Sequence, residues 1–165
     1  MKSVLFICHG NICRSPMAEF IFKDMVRKAG LEEVRIDSAA VSYEEEGNDI
    51  YPPAKRTLHG HGIPFGRHSA HRVTDAEASE YDVIIVMDAS NRRLLSRIIS
   101  CCIDKIQTSL IDCNRIKRYQ DSDILHARIL CYATAIAVYG HILHYIDIDN
   151  IAFEVFNNRG CCICH

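Results

Sequence analysis

The sequence predicts an α/β fold: a single layer of about four parallel strands with helices on both faces, and an anion-binding loop directly after the first strand. Three observations predict it. Apolar, β-leaning runs alternate with helix-patterned segments along residues 3–111. The clearest run, D-V-I-I-V-M at 82–87, is apolar throughout its middle, as a central parallel strand covered on both faces must be. The first run, S-V-L-F-I at 3–7, passes at once into the polar, turn-like C-H-G-N-I-C-R-S and then Pro16, which a helix tolerates in its first turn.

Taken in order, residues 3–7 read as a strand and 8–15 as a tight loop, with Ser15 as candidate N-cap. Ala18, Ile21, Met25 and Ala29 recur at helical spacing, and Gly30 offers a stop. Residues 34–38 read as a second strand, 43–53 as an acidic loop and 54–61 as a short helix. After the strand at 82–87 come a helix over 89–99 and a weaker strand over 105–111. Residues 124–146 are helical in pattern, with Ala127, Leu130, Cys131, Ala135, Val138 and Ile142 on one face. Right-handed crossovers bring the carboxyl ends of parallel strands to one edge, where such sheets bind ligands. Cys8 follows the first strand and is expected at that edge.

The composition narrows the function classes. A length of 165 residues suits one domain, 1–165, with a single core. The formal charge of -2 gives no global basic field for nucleic acid. No apolar run approaches the ~20 residues that span a bilayer, so no membrane partner is expected. The short run after Lys2 reads as a buried strand rather than a signal peptide, and the expected compartment is the cytoplasm. Nine cysteines are many for such a chain, and they are unevenly placed. Cys8 and Cys13 stand near the start; Cys101, Cys102, Cys113, Cys131, Cys161, Cys162 and Cys164 crowd the far end. This is not the even framework of a small disulfide-stapled domain. Cys161, Cys162, Cys164 and His165 cannot readily surround one tetrahedral ion from five adjacent positions, so no metal and no other cofactor is expected.

The chemistry is concentrated in Cys8 to Ser15. The backbone of His9, Gly10, Asn11, Ile12, Cys13 and Arg14 is expected to turn its N–H groups inward as an anion nest, reinforced by the positive end of the following helix. Arg14 offers a planar fork that matches two phosphate oxygens. The same positive surroundings favour Cys8 as a thiolate nucleophile. Gly10 permits backbone that a side chain would obstruct, and Asn11 is among the few other residues that accept positive φ. Cys8 and Cys13 share this one tight loop, so mild peroxide is expected to join them reversibly.

Residues 4–19, V-L-F-I-C-H-G-N-I-C-R-S-P-M-A-E, resemble the signature of low-molecular-weight protein-tyrosine phosphatases. The resemblance continues through I-D-S-A-A-V-S (36–42), H-S-A-H-R-V-T (68–74) and Y-D-V-I-I-V-M-D-A-S-N (81–91), about 60% of the chain in ordered motifs. It implies hydrolysis of phosphotyrosine proteins or small aryl phosphates through a cysteinyl-phosphate. Cys8 is then the nucleophile and Arg14 the phosphate clamp. Ser15 donates to the Cys8 sulfur, Ser38 and His68 are the polar partners of Asn11, and Cys13 is the family's second loop cysteine. In this fold the rim sets specificity, here Tyr43-Glu44-Glu45-Glu46 and residues 112–125, and an acidic rim disfavours strongly acidic peptides.

The pattern departs from the family after residue 99, and residues 113–165 are atypical of it. The family's late Asp-Pro, which supplies the general acid, is absent. Asp121 and Asp123 fall where the acid is expected in chain order, and Asp123 lies nearer the family's spacing from Cys8. An aspartate before a helix also reads as an N-cap. A divergent tail and a reading-frame error would look alike here. Two other functions therefore stay open. One is arsenate reduction on the same fold, which needs a further cysteine pair to relay a disulfide. The other is an oxyanion-binding module without its acid.

Overall fold

The computed structural model describes residues 2–30 and 33–108. The expected helix over 124–146, the candidate acids Asp121 and Asp123, the rim at 112–125 and the cysteines from Cys113 onward lie outside the described residues.

Four strands, β1 (Lys2–Cys8), β2 (Val34–Ala40), β3 (Val83–Val86) and β4 (Ile106–Thr108), form one parallel sheet in the order β2-β1-β3-β4. The helices are α1 (Arg14–Lys28), α2 (Pro52–Gly60), α3 (Asp75–Ser79) and α4 (Ala89–Leu95), with a 3-10 turn at Ile103–Lys105. β1 is central because all but its first residue is buried, which its unbroken apolar run requires.

The two faces of β1 sort its residues by parity. Val4, Phe6 and Cys8 pack against Ala18, Phe22 and Val26 of α1. Leu5 and Ile7 face the opposite cluster, with Ala78 of α3, Leu95 of α4, Tyr81 and Ile106. Helices thus cover both faces of the sheet. Phe6 and Phe22 meet edge-on, with centroids 5.9 Å apart, a pairing that contributes about 1 kcal/mol beyond its buried area. A second side of α1, Met17, Phe20 and Ile21, packs on Ile50, Ala54 and Leu58, so α2 lies outside α1. With α1 buried on two sides, its first turn is held firmly at the sheet edge.

Several boundaries move from the sequence reading. α1 begins at Arg14, one residue before Ser15, so Ser15 is not the N-cap; Cys13 occupies that position with no side-chain cap bond. The Ser15 hydroxyl is turned to the Cys8 sulfur instead. α2 starts at Pro52, with prolines in its first turn where their missing N–H groups cost nothing. α3 was not apparent in the sequence, because five residues carry too little periodicity; its Thr74 cap accepts from Glu77 N–H. α4 ends at Leu95 rather than Ile99, and the chain continues in turns. Among the described residues, no helix is long and apolar enough to cross a membrane.

Candidate active site

β1 leads to β2 on one side and, later in the chain, β3 pairs on the other. A crevice opens at such a reversal, outside the carboxyl ends of the strands. Cys8 ends β1 and Asp88 follows β3, so both stand at that carboxyl edge of the sheet.

The loop from Cys8 to Arg14 is held from outside by its carbonyls. The Cys8 carbonyl accepts from Val41 N–H at 3.0 Å, and that of His9 from Val41 and Ser42 N–H at 3.2 and 3.1 Å. The Ile12 carbonyl accepts from Tyr51 N–H at 2.7 Å and that of Cys13 from Met17 N–H at 3.1 Å. The Asn11 carbonyl lies 2.6 Å from His68 Nε2, which donates to it. Among the described residues all peptides are trans. In a trans peptide the N–H of the next residue points opposite to the carbonyl. Turning these carbonyls outward therefore directs the N–H groups of His9, Gly10, Ile12, Cys13 and Arg14 inward. Such a row of amides is an anion nest.

Cys8 is buried, 3% exposed, and its sulfur receives two polar neighbours. Asn11 N–H donates to Sγ at 3.2 Å, and Ser15 Oγ lies 3.0 Å away. Asn11 is the hub of the loop. Its φ of 55° is left-handed, which asparagine tolerates better than most residues. Its Nδ2 donates to Ser15 Oγ at 2.9 Å and to Ser38 Oγ at 2.8 Å. The structure therefore brings together Cys8, Asn11, Ser15, Ser38 and His68. Gly10 is explained by clearance rather than by φ: a Cβ there would stand 2.9 Å from Glu45 Cγ.

Two contributors were not apparent in the sequence. Asp88 Oδ2 accepts from Arg14 Nη1 at 2.6 Å, while Oδ1 caps α4 by accepting from Asn91 N–H at 2.7 Å. Burial pushes the Asp88 carboxyl up, but the Asn91 N–H, Arg14 and the Ser90 N–H outweigh it and hold the group below its ordinary value. Glu19, buried inside α1, accepts from Ser38 Oγ at 2.6 Å and from Lys23 Nζ at 2.6 Å. A chain of contacts thus runs from Lys23 through Glu19 and Ser38 to the loop. The signal for Glu19 was available: it falls on the apolar stripe of α1, between Ala18 and Phe22, where an acid needs a partner.

Cys13 flanks the loop, half-buried. Burial first, and then the neighbouring Cys8, push its thiol up to about 11 against the opposing pull of Arg14. Among the described residues, no group of three or more His, Cys, Asp or Glu is placed to hold a metal ion.

The model of the low molecular weight phosphotyrosine protein phosphatase family matches residues 3–147. The chain belongs to this family. It is 45% identical over 92 residues to the low molecular weight protein-tyrosine-phosphatase YfkJ of Bacillus subtilis, covering 55% of this chain and 59% of that protein. It is 44% identical over 97 residues to the human low molecular weight phosphotyrosine protein phosphatase, covering 58% and 61%. The chain thus matches about three fifths of the length of these curated relatives. In structure it resembles crystalline YfkJ, with a TM-score of 0.73 and 30% identity over 84% of this chain and 94% of that one. A low molecular weight phosphotyrosine phosphatase of Vibrio cholerae gives 0.70 and 27% over 84% and 96%.

Proposed function

We propose that the protein hydrolyses aryl phosphate monoesters of the phosphotyrosine kind in two displacements. One observation carries this reading: the Cys8 sulfur lies inside an amide nest, with Asn11 N–H and Ser15 Oγ at 3.2 and 3.0 Å and Arg14 at the loop's far end. The loop N–H groups and the Arg14 fork hold the phosphoryl oxygens. In the first step Cys8 Sγ attacks phosphorus, the P–O bond to the aryl group breaks, and an acid protonates the departing oxygen. In the second step water attacks phosphorus and the P–S bond breaks. Ser15 Oγ–H donates to the sulfur, and the electron pair stays there as thiolate. The conjugate base of the acid takes the proton from water. We assign that acid to Asp123, with Asp121 as the alternative. The work is assigned to the cytoplasm, with peroxide control through Cys8 and Cys13.

Arsenate reduction would route a disulfide from Cys8 to a further cysteine. Cys101 and Cys102 precede β4, at the amino edge of the parallel sheet, whereas Cys8 lies at the carboxyl edge. For Cys101 and Cys102 that placement favours the hydrolytic reading; the third candidate, Cys113, lies outside the described residues.

The test is turnover of an aryl phosphate by wild type, Cys8→Ser and Arg14→Lys. Cys8→Ser should be inactive yet folded. Arg14→Lys should be crippled, because a point charge does not replace a two-pronged clamp. Turnover by Cys8→Ser at the wild-type rate would refute the mechanism.

A further inference from the structure

Cys8 Sγ and Ser15 Oγ lie 3.0 Å apart, and the contact by itself leaves open which of them donates. The donor is fixed elsewhere, by a row of polar groups that ends on Glu19. Glu19, Ser38, Asn11 and Ser15 are all buried, so each must find its partners within the row. Lys23 Nζ has hydrogens and no lone pair. It donates to Glu19 Oε1 at 2.6 Å and also stands 3.8 Å from Asp37 Oδ1. The second oxygen of the Glu19 carboxylate, Oε2, accepts from Ser38 Oγ at 2.6 Å.

The hydrogens available along the row set its direction. Ser38 has one hydroxyl hydrogen and gives it to Glu19, so toward Asn11 it offers only a lone pair. The Asn11 amide must therefore present Nδ2 to it, at 2.8 Å. The other Nδ2 hydrogen goes to Ser15 Oγ at 2.9 Å. The Ser15 hydroxyl hydrogen is then left for an acceptor, and Cys8 Sγ at 3.0 Å is nearer than the Ala39 carbonyl at 3.4 Å. Asn11 Oδ1, by contrast, is buried with no hydrogen-bond partner among the described residues. An unpaired buried acceptor is costly, so the amide keeps this orientation because both hydroxyls require its donor face.

We propose that Glu19 is a positioning residue for Cys8: its carboxylate sets the direction of the Ser38–Asn11–Ser15 hydrogen bonds, so that the Ser15 hydroxyl donates to the sulfur. The proposal rests on the phosphatase reading above for its kinetic consequence alone. In the second displacement a donor at Cys8 Sγ supports the sulfur as it leaves phosphorus with the electron pair of the P–S bond. Glu19→Gln reverses the row. Lys23 takes the glutamine oxygen, which turns Nε2 toward Ser38. Ser38 then accepts from Nε2 and donates to Asn11, the amide turns over to present Oδ1, and the Ser15 hydroxyl donates to Oδ1 instead of Sγ.

The experiment alkylates wild type, Glu19→Gln, Ser38→Ala and the double variant with iodoacetamide, and follows the Cys8 peptide by mass spectrometry across a range of pH. Glu19→Gln should slow the reaction about tenfold at mildly acidic pH, and the deficit should close as pH rises. The sign discriminates. Loss of a nearby negative charge, acting through Coulomb repulsion alone, would favour the thiolate and speed the reaction. In the Ser38→Ala background the glutamine should change nothing further, because the row is already cut. His9, Cys13 and Arg14, the other titratable groups of the loop, are the same in all four proteins. Melting curves establish that each variant is folded; should Glu19→Gln fail to fold, Ser38→Ala must show the slowing by itself. With an aryl phosphate, Glu19→Gln should lower kcat about tenfold and enlarge the initial burst of released phenol relative to the steady rate. Alkylation at or above the wild-type rate in Glu19→Gln, or a glutamine effect that persists without Ser38, overturns the proposal. Absence of all turnover in wild type would overturn the phosphatase reading, and the alkylation rates would still decide the role of Glu19.

Discussion

Arg14 and Asp88, 74 residues apart in sequence, are joined by a 2.6 Å hydrogen bond from Nη1 to Oδ2. The bond links the first turn of α1 to the cap of α4 and fixes the plane of the guanidinium. Asp88→Asn preserves a good N-cap but removes the charge that orients Arg14. It should lower kcat/KM for an aryl phosphate by about tenfold, with a smaller effect on melting. The pH dependence has a definite sign. The Asp88 carboxyl is held low in the folded state, so its contribution to stability is complete above the unfolded value near about 3.9 and fades as pH falls through the folded value. Acid melting curves of wild type and Asp88→Asn should converge below that range. Unchanged kcat/KM in the variant would remove Asp88 from the site.

Asn11 combines a left-handed backbone with two buried side-chain bonds. Asn11→Gly relieves the backbone demand but loses both bonds, whereas Asn11→Ala loses the bonds and keeps the demand. Both should weaken phosphate binding. By denaturant melting, the alanine variant should be the less stable of the two by about 1 kcal/mol. Equal stability would mean that the φ of 55° carries no strain.

Cys13 bears on oxidation. Burial pushes its thiol up to about 11, so at neutral pH it remains protonated and is a poor first target for peroxide. In the proposed peroxide control, Cys8 Sγ is oxidised by peroxide to a sulfenic acid, and attack of Cys13 Sγ on it releases water and closes the disulfide. Cys13→Ser should turn reversible inactivation by peroxide into irreversible inactivation, with sulfinic acid on Cys8 by mass spectrometry. A bridge from Cys8 to a cysteine beyond residue 100 would count against this pairing.

The acid is tested through the leaving group. Asp123→Asn should slow esters of high-pKa phenols by about 10²–10⁴-fold and nitrophenyl esters far less. Asp121→Asn should do little. Equal slowing of all esters by both variants, or by neither, would leave the chemistry without either aspartate, and the protein would be a phosphate binder or an impaired phosphatase.

The phosphate loop was legible because its information is local: Cys8, Gly10, Asn11 and Arg14 lie within seven residues, between an apolar strand and a helix start. The strand at Val83–Val86 was legible because burial on both faces leaves an unbroken apolar run. What escaped notice depends on distant partners. Asp88 looks like an ordinary helix cap and is one; only the fold shows that its second oxygen reaches Arg14. Ser15 has the composition of a cap, yet it faces Cys8 because α1 begins one residue earlier. Glu19 carried a signal, an acid within the apolar pattern of α1, but the partner that explains it, Ser38, is brought across from β2.

The sheet order also sets when the Cys8 loop can be completed. In chain order β1 precedes both strands that flank it, β2 and β3, and Asp88, which bonds Arg14, follows β3. Until Asp88 has emerged and the β1–β3 ladder has closed, the Arg14–Asp88 bond cannot form. Long-range parallel pairing of this kind forms late. On the proposed mechanism, a nascent chain therefore carries its cysteine without the oriented arginine until β3 has paired, and closing the sheet is the event that arms the loop.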